Sequence, residues 1–189
     1  MCIRDRNDTT IRRQIEDLCR ELGITCINIP SKPRGLTNYM YQCADAMNFI
    51  LEYQKANPDK YLLIDSDMFL IDNFDPAKYA EYDCAIVLQS RPNNISYFWN
   101  GIYYFNMTKM KNIELLNWTP CQTCDVGGMM QAWLKKQMEG KKMPSTDDIR
   151  WTNNNYNTDS IYFIKHLWST TWNTSELPSN ITNLSLIHI

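Results

Sequence analysis

The run Tyr61-Leu62-Leu63-Ile64 is continuously apolar and ends in two carboxylates, Asp65 and Asp67, before apolar residues resume at Met68 and Phe69. A short apolar run of this kind predicts a buried strand. Ligand sites of open α/β sheets lie at the carboxyl ends of strands. Two carboxylates placed there repel each other, and burying them unpaired is costly. A divalent cation relieves both problems. Hard oxygen ligands select Mg²⁺ or Mn²⁺, and either ion can also hold a diphosphate. The plainer alternative is a pair that caps a turn or stands in solvent.

Other residue groups carry weaker chemistry. Cys121-Gln122-Thr123-Cys124 is a single CxxC. Tetrahedral zinc takes four ligands, and the sequence has no second pair of this spacing. A redox CxxC usually opens a helix, whereas here Pro120 precedes the motif and Asp125-Val126 separates it from Gly127-Gly128. The pair reads as incidental or as a facultative disulfide. Trp99, Trp118 and Trp133 read as core residues, with Trp99, beside Asn100, the best candidate for a sugar platform.

The segment from Leu62 to Ile71, LLIDSDMFLI, resembles the metal-binding DxD motif of GT-A-fold glycosyltransferases. Tyr97-Phe98-Trp99-Asn100-Gly101-Ile102-Tyr103-Tyr104-Phe105-Asn106 resembles the aromatic Asn- and Gly-containing segment that lines the sugar pocket there. Cys124-Asp125-Val126-Gly127-Gly128 follows in the place of the family's later acidic site. The resemblance covers about residues 20–180. It implies an α/β/α sandwich, Rossmann-like, with a mostly parallel central sheet and truncated at its ends. It also implies a metal-dependent transfer of a sugar from a nucleotide-sugar donor to a glycan or other hydroxyl acceptor. Asp67 would be the direct metal ligand, and Asp65 would touch the metal or the ribose hydroxyls. Asn100 and Gly101 would border the donor sugar or the acceptor, although the family usually places a small residue between them. Asp125 would sit near the reacting centre, as a general base or as a group that steadies the donor; an N-cap is the competing role for it. Arg34 would reach the diphosphate, or else is a solvated surface residue. The resemblance further implies a metal-ligating His near the end of the domain. Of the two His, His166 has a similar spacing to Trp172 but meets Ser169 where the family has Gly, and His188 lies in the final residues. The preferred reading places the true His beyond residue 184.

These groups need elements to hold them. Thr9 or Thr10 can cap a helix with Ile11, Ile15, Leu18 and Leu22 on one face, ending at Gly23. Residues 24–29 predict a strand stopped by Pro30, and residues 31–37 a loop containing Arg34. A helix over about 38–56 should turn Met40, Cys43, Met47, Ile50 and Leu51 inward. Strands are expected at 61–64, 84–88, 102–105 and 161–164. A helix with Met130, Trp133, Leu134 and Met138 should follow Gly128 and close at Gly140, with a polar loop over 141–158. Strands alternating with helices argue for α/β with a largely parallel sheet in one domain.

The chain has 189 residues, 44% hydrophobic and 21% charged, enough apolar surface to exclude wholesale disorder. Its 19 basic and 21 acidic residues give a net charge of −2, without the basic excess that drives binding to nucleic acid. No run reaches the ~20 apolar residues that span a bilayer, so no membrane segment is expected. Seven unpatterned cysteines suit reduced thiols, hence a cytoplasmic setting. The opening MCIRDR and the closing SLIHI resemble translated sequencing-adapter sequence, so residues 1–6 and 185–189 are expected to be foreign to a domain incomplete at both ends. Two rival functions remain. One is a haloacid-dehalogenase-like phosphatase, whose motif normally opens its domain and carries Thr or Val where Phe69 stands. The other is a non-catalytic nucleotide- or glycan-binding module.

Overall fold

The computed structural model describes residues 2–4, 9–29, 39–65, 75–91, 95–141 and 158–164. In chain order these form β1 (Cys2–Arg4), α1 (Thr9–Glu21), β2 (Ile27–Ile29), α2 (Tyr39–Ala56), β3 (Lys60–Ile64), β4 (Cys84–Arg91), β5 (Ile95–Asn106), α3 (Gln131–Gln137) and β6 (Ile161–Phe163). Short 3-10 turns lie at Pro76–Tyr79, Ile113–Leu115 and Gly128–Met130. The protein is mixed α/β, as expected.

Strands β3 to β6 form one sheet in the order β3-β5-β4-β6. The expectation of a mostly parallel sheet is corrected here. β5 is antiparallel to both β3 and β4, and in this sheet only β4 and β6 pair in parallel. The reason lies in the connection. Only residues 92–94 separate β4 from β5. A parallel crossover needs roughly a dozen residues or more, so a link this short produces an antiparallel hairpin. The expected strand at 102–105 is only the second half of β5, whose first half is the aromatic stretch beginning at Ile95. With β5 antiparallel to its neighbours, β3, β4 and β6 all run the same way and β5 runs against them.

The alternation of β4 and β5 gives the sheet two apolar faces. On one face Cys84, Ile86, Leu88, Phe98, Tyr103 and Phe105 pack with Ala44, Met47 and Leu51 of α2 and with Trp118, Met130, Trp133 and Leu134. The aromatic rings there interlock, Phe98 meeting Trp133 edge-on at 5.7 Å between centroids and Tyr103 meeting Trp118 at 4.8 Å. On the other face Ala85, Val87, Ile102 and Tyr104 pack with Tyr79 and Ile164. Tyr79 arrives on the turn Pro76–Tyr79, started by the Asp75 carboxylate accepting from the Ala77 N–H at 2.8 Å. Among the described residues this second face is covered by a 3-10 turn and not by an α-helix.

α2 buries Met47 and Leu51 as expected, together with Ala44, which the expectation did not include; Cys43 and Ile50 are half-buried, and Met40 is 41% exposed. α1 departs further from expectation. Its stripe forms, and Gly23 at φ +66° ends the helix with the Ile24 N–H reaching back to the Cys19 carbonyl at 2.7 Å. Yet Ile11 and Leu18 are 46% and 53% exposed, and neither core includes a residue of α1. Periodicity marks which side of a helix is apolar; it does not supply the surface that covers it. β1 and β2 form a separate two-stranded parallel sheet that pairs Cys2 with Ile27 and Arg4 with Ile29. Among the described residues, no helix is long and apolar enough to cross a membrane.

Candidate functional site

β3 delivers Asp65 as the first residue beyond its last paired position, Ile64. The Asp65 N–H donates to the Gly101 carbonyl at 2.7 Å, which continues the β3–β5 ladder one step past the Ile64–Ile102 pair. The backbone of Asp65 is therefore fixed while its carboxylate is exposed. The Asn100 side-chain amide stands 3.5 Å from Asp65 Oδ2 and 3.8 Å from the Cys43 sulfur in the first turns of α2. Three residues singled out in the sequence, Asp65, Asn100 and Gly101, thus meet at one end of β3. Asp67 and Arg34 lie outside the described residues, as do His166 and His188.

The meeting is made by a bulge in β5. Against β4, Val87 pairs with Trp99 and the next residue back, Ile86, pairs with Tyr103. Asn100, Gly101 and Ile102 have no β4 partner. The face alternation slips across this segment. Phe98 and Tyr103 belong to the α2 face, while Trp99, Ile102 and Tyr104 belong to the other. Strict alternation from Phe98 would put Ile102 and Tyr104 on the α2 face. The bulge removes that constraint and sets Asn100 against Cys43. Gly101 permits a close approach: a β-carbon there would stand 2.2–2.5 Å from the outer ring atoms of Trp99, so the ring would have to move. Trp99 therefore packs over its own strand against the smaller core.

Neither the bulge nor Cys43 was anticipated as part of the site. The bulge had a signal, since an isolated Gly inside a strand pattern marks a bulge or a close approach. Cys43 had none beyond its place on the inward side of α2.

Asp125 is bonded within its own loop. Its carboxylate accepts from the Val126 N–H at 2.7 Å, its carbonyl accepts from the Gly128 N–H at 2.9 Å, and it is exposed. It makes no hydrogen bond to Asp65 or Asn100. Nor is it the N-cap of the following turn, a position taken by Gly127 at φ +91° with no side-chain cap. Gly127 presses onto β5: a β-carbon there would be 2.2 Å from the Phe98 carbonyl oxygen, two residues before Asn100. Asn48 of α2 ties down the approach to this loop, accepting from the Trp118 N–H at 2.9 Å and donating to Thr119 Oγ1 at 3.3 Å. α2 therefore contacts both parts, Asn100 through Cys43 and the Asp125 loop through Asn48.

Among the described residues, no group of three or more His, Cys, Asp or Glu could hold a metal. A hard cation bound through phosphate does not need such a cage. Mg²⁺ typically takes one or two carboxylates and completes its shell with water and phosphate oxygens. The exposed Asp65 carboxylate, on a fixed strand end, is a donor of the right chemistry for that mode. No family model, curated protein or solved structure matches the chain.

Proposed function

We propose that the protein is a metal-dependent glycosyltransferase that moves a sugar from a nucleotide-sugar donor to a hydroxyl acceptor. The observation that carries this reading is the convergence of Asp65 with the bulged Asn100-Gly101 segment, through the 2.7 Å backbone bond and the 3.5 Å side-chain approach. An exposed carboxylate on a rigid strand end, with an amide beside it, suits a ligand rich in phosphate and hydroxyl oxygens. The finer GT-A-like architecture belongs to the same proposal, supported by β3, β4 and β6 running in one direction.

In this reading Asp65 and Asp67 hold Mg²⁺ or Mn²⁺. A cation held there would supply positive charge against the charge that develops on a departing diphosphate. Asn100 and the Gly101 backbone border the sugar or the acceptor, where an amide can both donate and accept. Arg34 reaches the diphosphate. Asp125 either takes the proton of the attacking hydroxyl or steadies the donor; its exposed carboxylate is open to either role.

Calorimetric titration with nucleoside diphosphates, with and without Mn²⁺, tests the reading. Binding should require Mn²⁺, and Asp65→Asn should weaken it by about tenfold or more while leaving the fold intact, because exposed substitutions usually change stability by less than ~0.5 kcal/mol. Equal affinity with and without metal, or steady hydrolysis of an aryl phosphate in place of nucleotide binding, would end the proposal.

A further inference from the structure

The CxxC motif is left unused by glycosyl transfer, and its geometry is specific. Cys121 and Cys124 face each other in an isolated antiparallel bridge, closed by the Cys124 N–H donating to the Cys121 carbonyl at 3.3 Å. A turn of this kind holds its end Cα atoms within ~7 Å, which overlaps the ~4.4–6.8 Å that a disulfide spans. The side chains converge as well. Thr123 Oγ1 is 3.8 Å from both sulfurs, and Gln131 Nε2 is 3.6 Å from Cys124 Sγ and 4.0 Å from Cys121 Sγ. Gly128 leaves the room: a β-carbon there would stand 2.9 Å from Cys124 Cβ and 3.1 Å from Cys121 Sγ.

The two sulfurs are unlike each other. Cys121 is half-buried and Cys124 is buried. Burial opposes the Cys121 thiolate, but hydrogen bonds from the Cys124 thiol, the Thr123 hydroxyl and the local backbone N–H groups outweigh it, so the Cys121 thiol titrates below the ordinary thiol range. The other close pair, Cys19 and Cys26, differs. Cys19 is buried, and burial together with the neighbouring Cys19 pushes the Cys26 thiol up. Cys84 is fully buried in the sheet, and its thiol is pushed up further by that burial.

We propose that Cys121 and Cys124 form a reversible dithiol–disulfide couple, oxidised by exchange with a low-molecular-weight disulfide of the glutathione type. The Cys121 thiolate attacks one sulfur of the external disulfide; a Cys121–sulfur bond forms and one small thiolate leaves. Cys124 then loses its proton and attacks the Cys121 sulfur, expelling the second small thiolate. Two protein thiols are oxidised, one external disulfide is reduced to two thiols, and the two thiol protons pass to the leaving thiolates. The accessible, more acidic sulfur attacks and the buried one resolves. The couple is independent of the glycosyltransferase reading.

The test is graded oxidation of the full chain with oxidised glutathione, acid quenching, alkylation of the remaining thiols and peptide mapping by mass spectrometry. The expected first product is the peptide containing Cys121 and Cys124 lighter by two hydrogens and reverted by dithiothreitol. In Cys124→Ser the reaction should stop at a stable glutathione adduct on Cys121. A second measurement needs no variant: with limiting iodoacetamide near neutral pH, Cys121 should label before Cys26, because hydrogen bonds favour the Cys121 thiolate while burial opposes that of Cys26. Labelling of Cys26 ahead of Cys121, or a lasting wild-type glutathione adduct on Cys121 with Cys124 still alkylatable, would overturn the couple.

Discussion

Asp65 and Asp125 are both exposed, yet the structure constrains them differently. Asp65 is held through its backbone N–H on Gly101, and its exposed carboxylate meets the Asn100 amide at 3.5 Å. Asp125 is exposed and accepts from the Val126 N–H at 2.7 Å through one carboxylate oxygen. Asparagine at 125 retains a carbonyl oxygen that can accept the same bond, so Asp125→Asn removes charge with little change in loop geometry. In the proposed reaction that substitution should lower turnover by about a hundredfold, the size typical of a lost general base, while Mn²⁺-dependent donor binding survives. Steady-state rates and calorimetry on one preparation separate the outcomes. A fall in melting temperature at unchanged specific activity would assign Asp125 to the loop instead of the chemistry. Asp65 was legible in the sequence because an apolar run stops at it. Asn100 was legible only by resemblance, and what sets it beside Asp65 is a contact between residues 35 apart in sequence.

Elements were more legible than their pairing. α2 follows from helical spacing of Met40, Cys43, Met47, Ile50 and Leu51, and β3 from an unbroken apolar run. The direction of β5 was misread because it was taken as a four-residue strand, which hid that only residues 92–94 join it to β4. The bulge was missed for a related reason. Strand periodicity assumes an unbroken ladder, and the slip across Asn100-Gly101-Ile102 answers to packing against both β4 and α2. Gly127 of the Asp125 loop and Gly140, just beyond α3, allow a sharp check on such packing. Gly127 and Gly140 both hold positive φ, +91° and +78°, but a β-carbon at Gly140 meets nothing within 4 Å while one at Gly127 meets the Phe98 carbonyl oxygen at 2.2 Å. Gly140→Ala should therefore cost only the left-handed backbone strain, about 1–2 kcal/mol. Gly127→Ala should add roughly 1–3 kcal/mol of overpacking against a β5 backbone that cannot swing aside. Urea unfolding midpoints at unchanged slope measure the difference, and equal costs would mean that the loop does not bear on β5.

The whole molecule divides unevenly around its sheet. Cys84, Ile86 and Leu88 of β4 and Phe98, Tyr103 and Phe105 of β5 are fully buried and share one core with α2 and α3, while Ala85 and Val87 are buried on the other face. α1 and β2 contribute no residue to either core, with Ile11, Leu18 and Ile27 exposed. Sequence could show that α1 is amphipathic, because its stripe is local; it could not show that the stripe has no place in the main core, because that depends on which distant surfaces are already filled. Burial of an apolar side chain contributes ~1.5–3 kcal/mol, so an element that leaves several such chains in solvent gains little from the rest of the fold. Regions with few buried apolar contacts open at a lower free energy than the global transition. Native-state hydrogen exchange should then show the amides of β4 and β5 protected to the global limit. The amides of α1 should exchange at least about a hundredfold faster, an opening free energy lower by about 2.7 kcal/mol at ~1.36 kcal/mol per decade. Raising the urea concentration should bring the two sets together only near the unfolding midpoint, because α1 opens alone with little added surface while β4 and β5 open with everything. Equal protection of α1 and β5 at low urea would mean that α1 unfolds only with the sheet, and that its exposed stripe is covered in solution by a second surface.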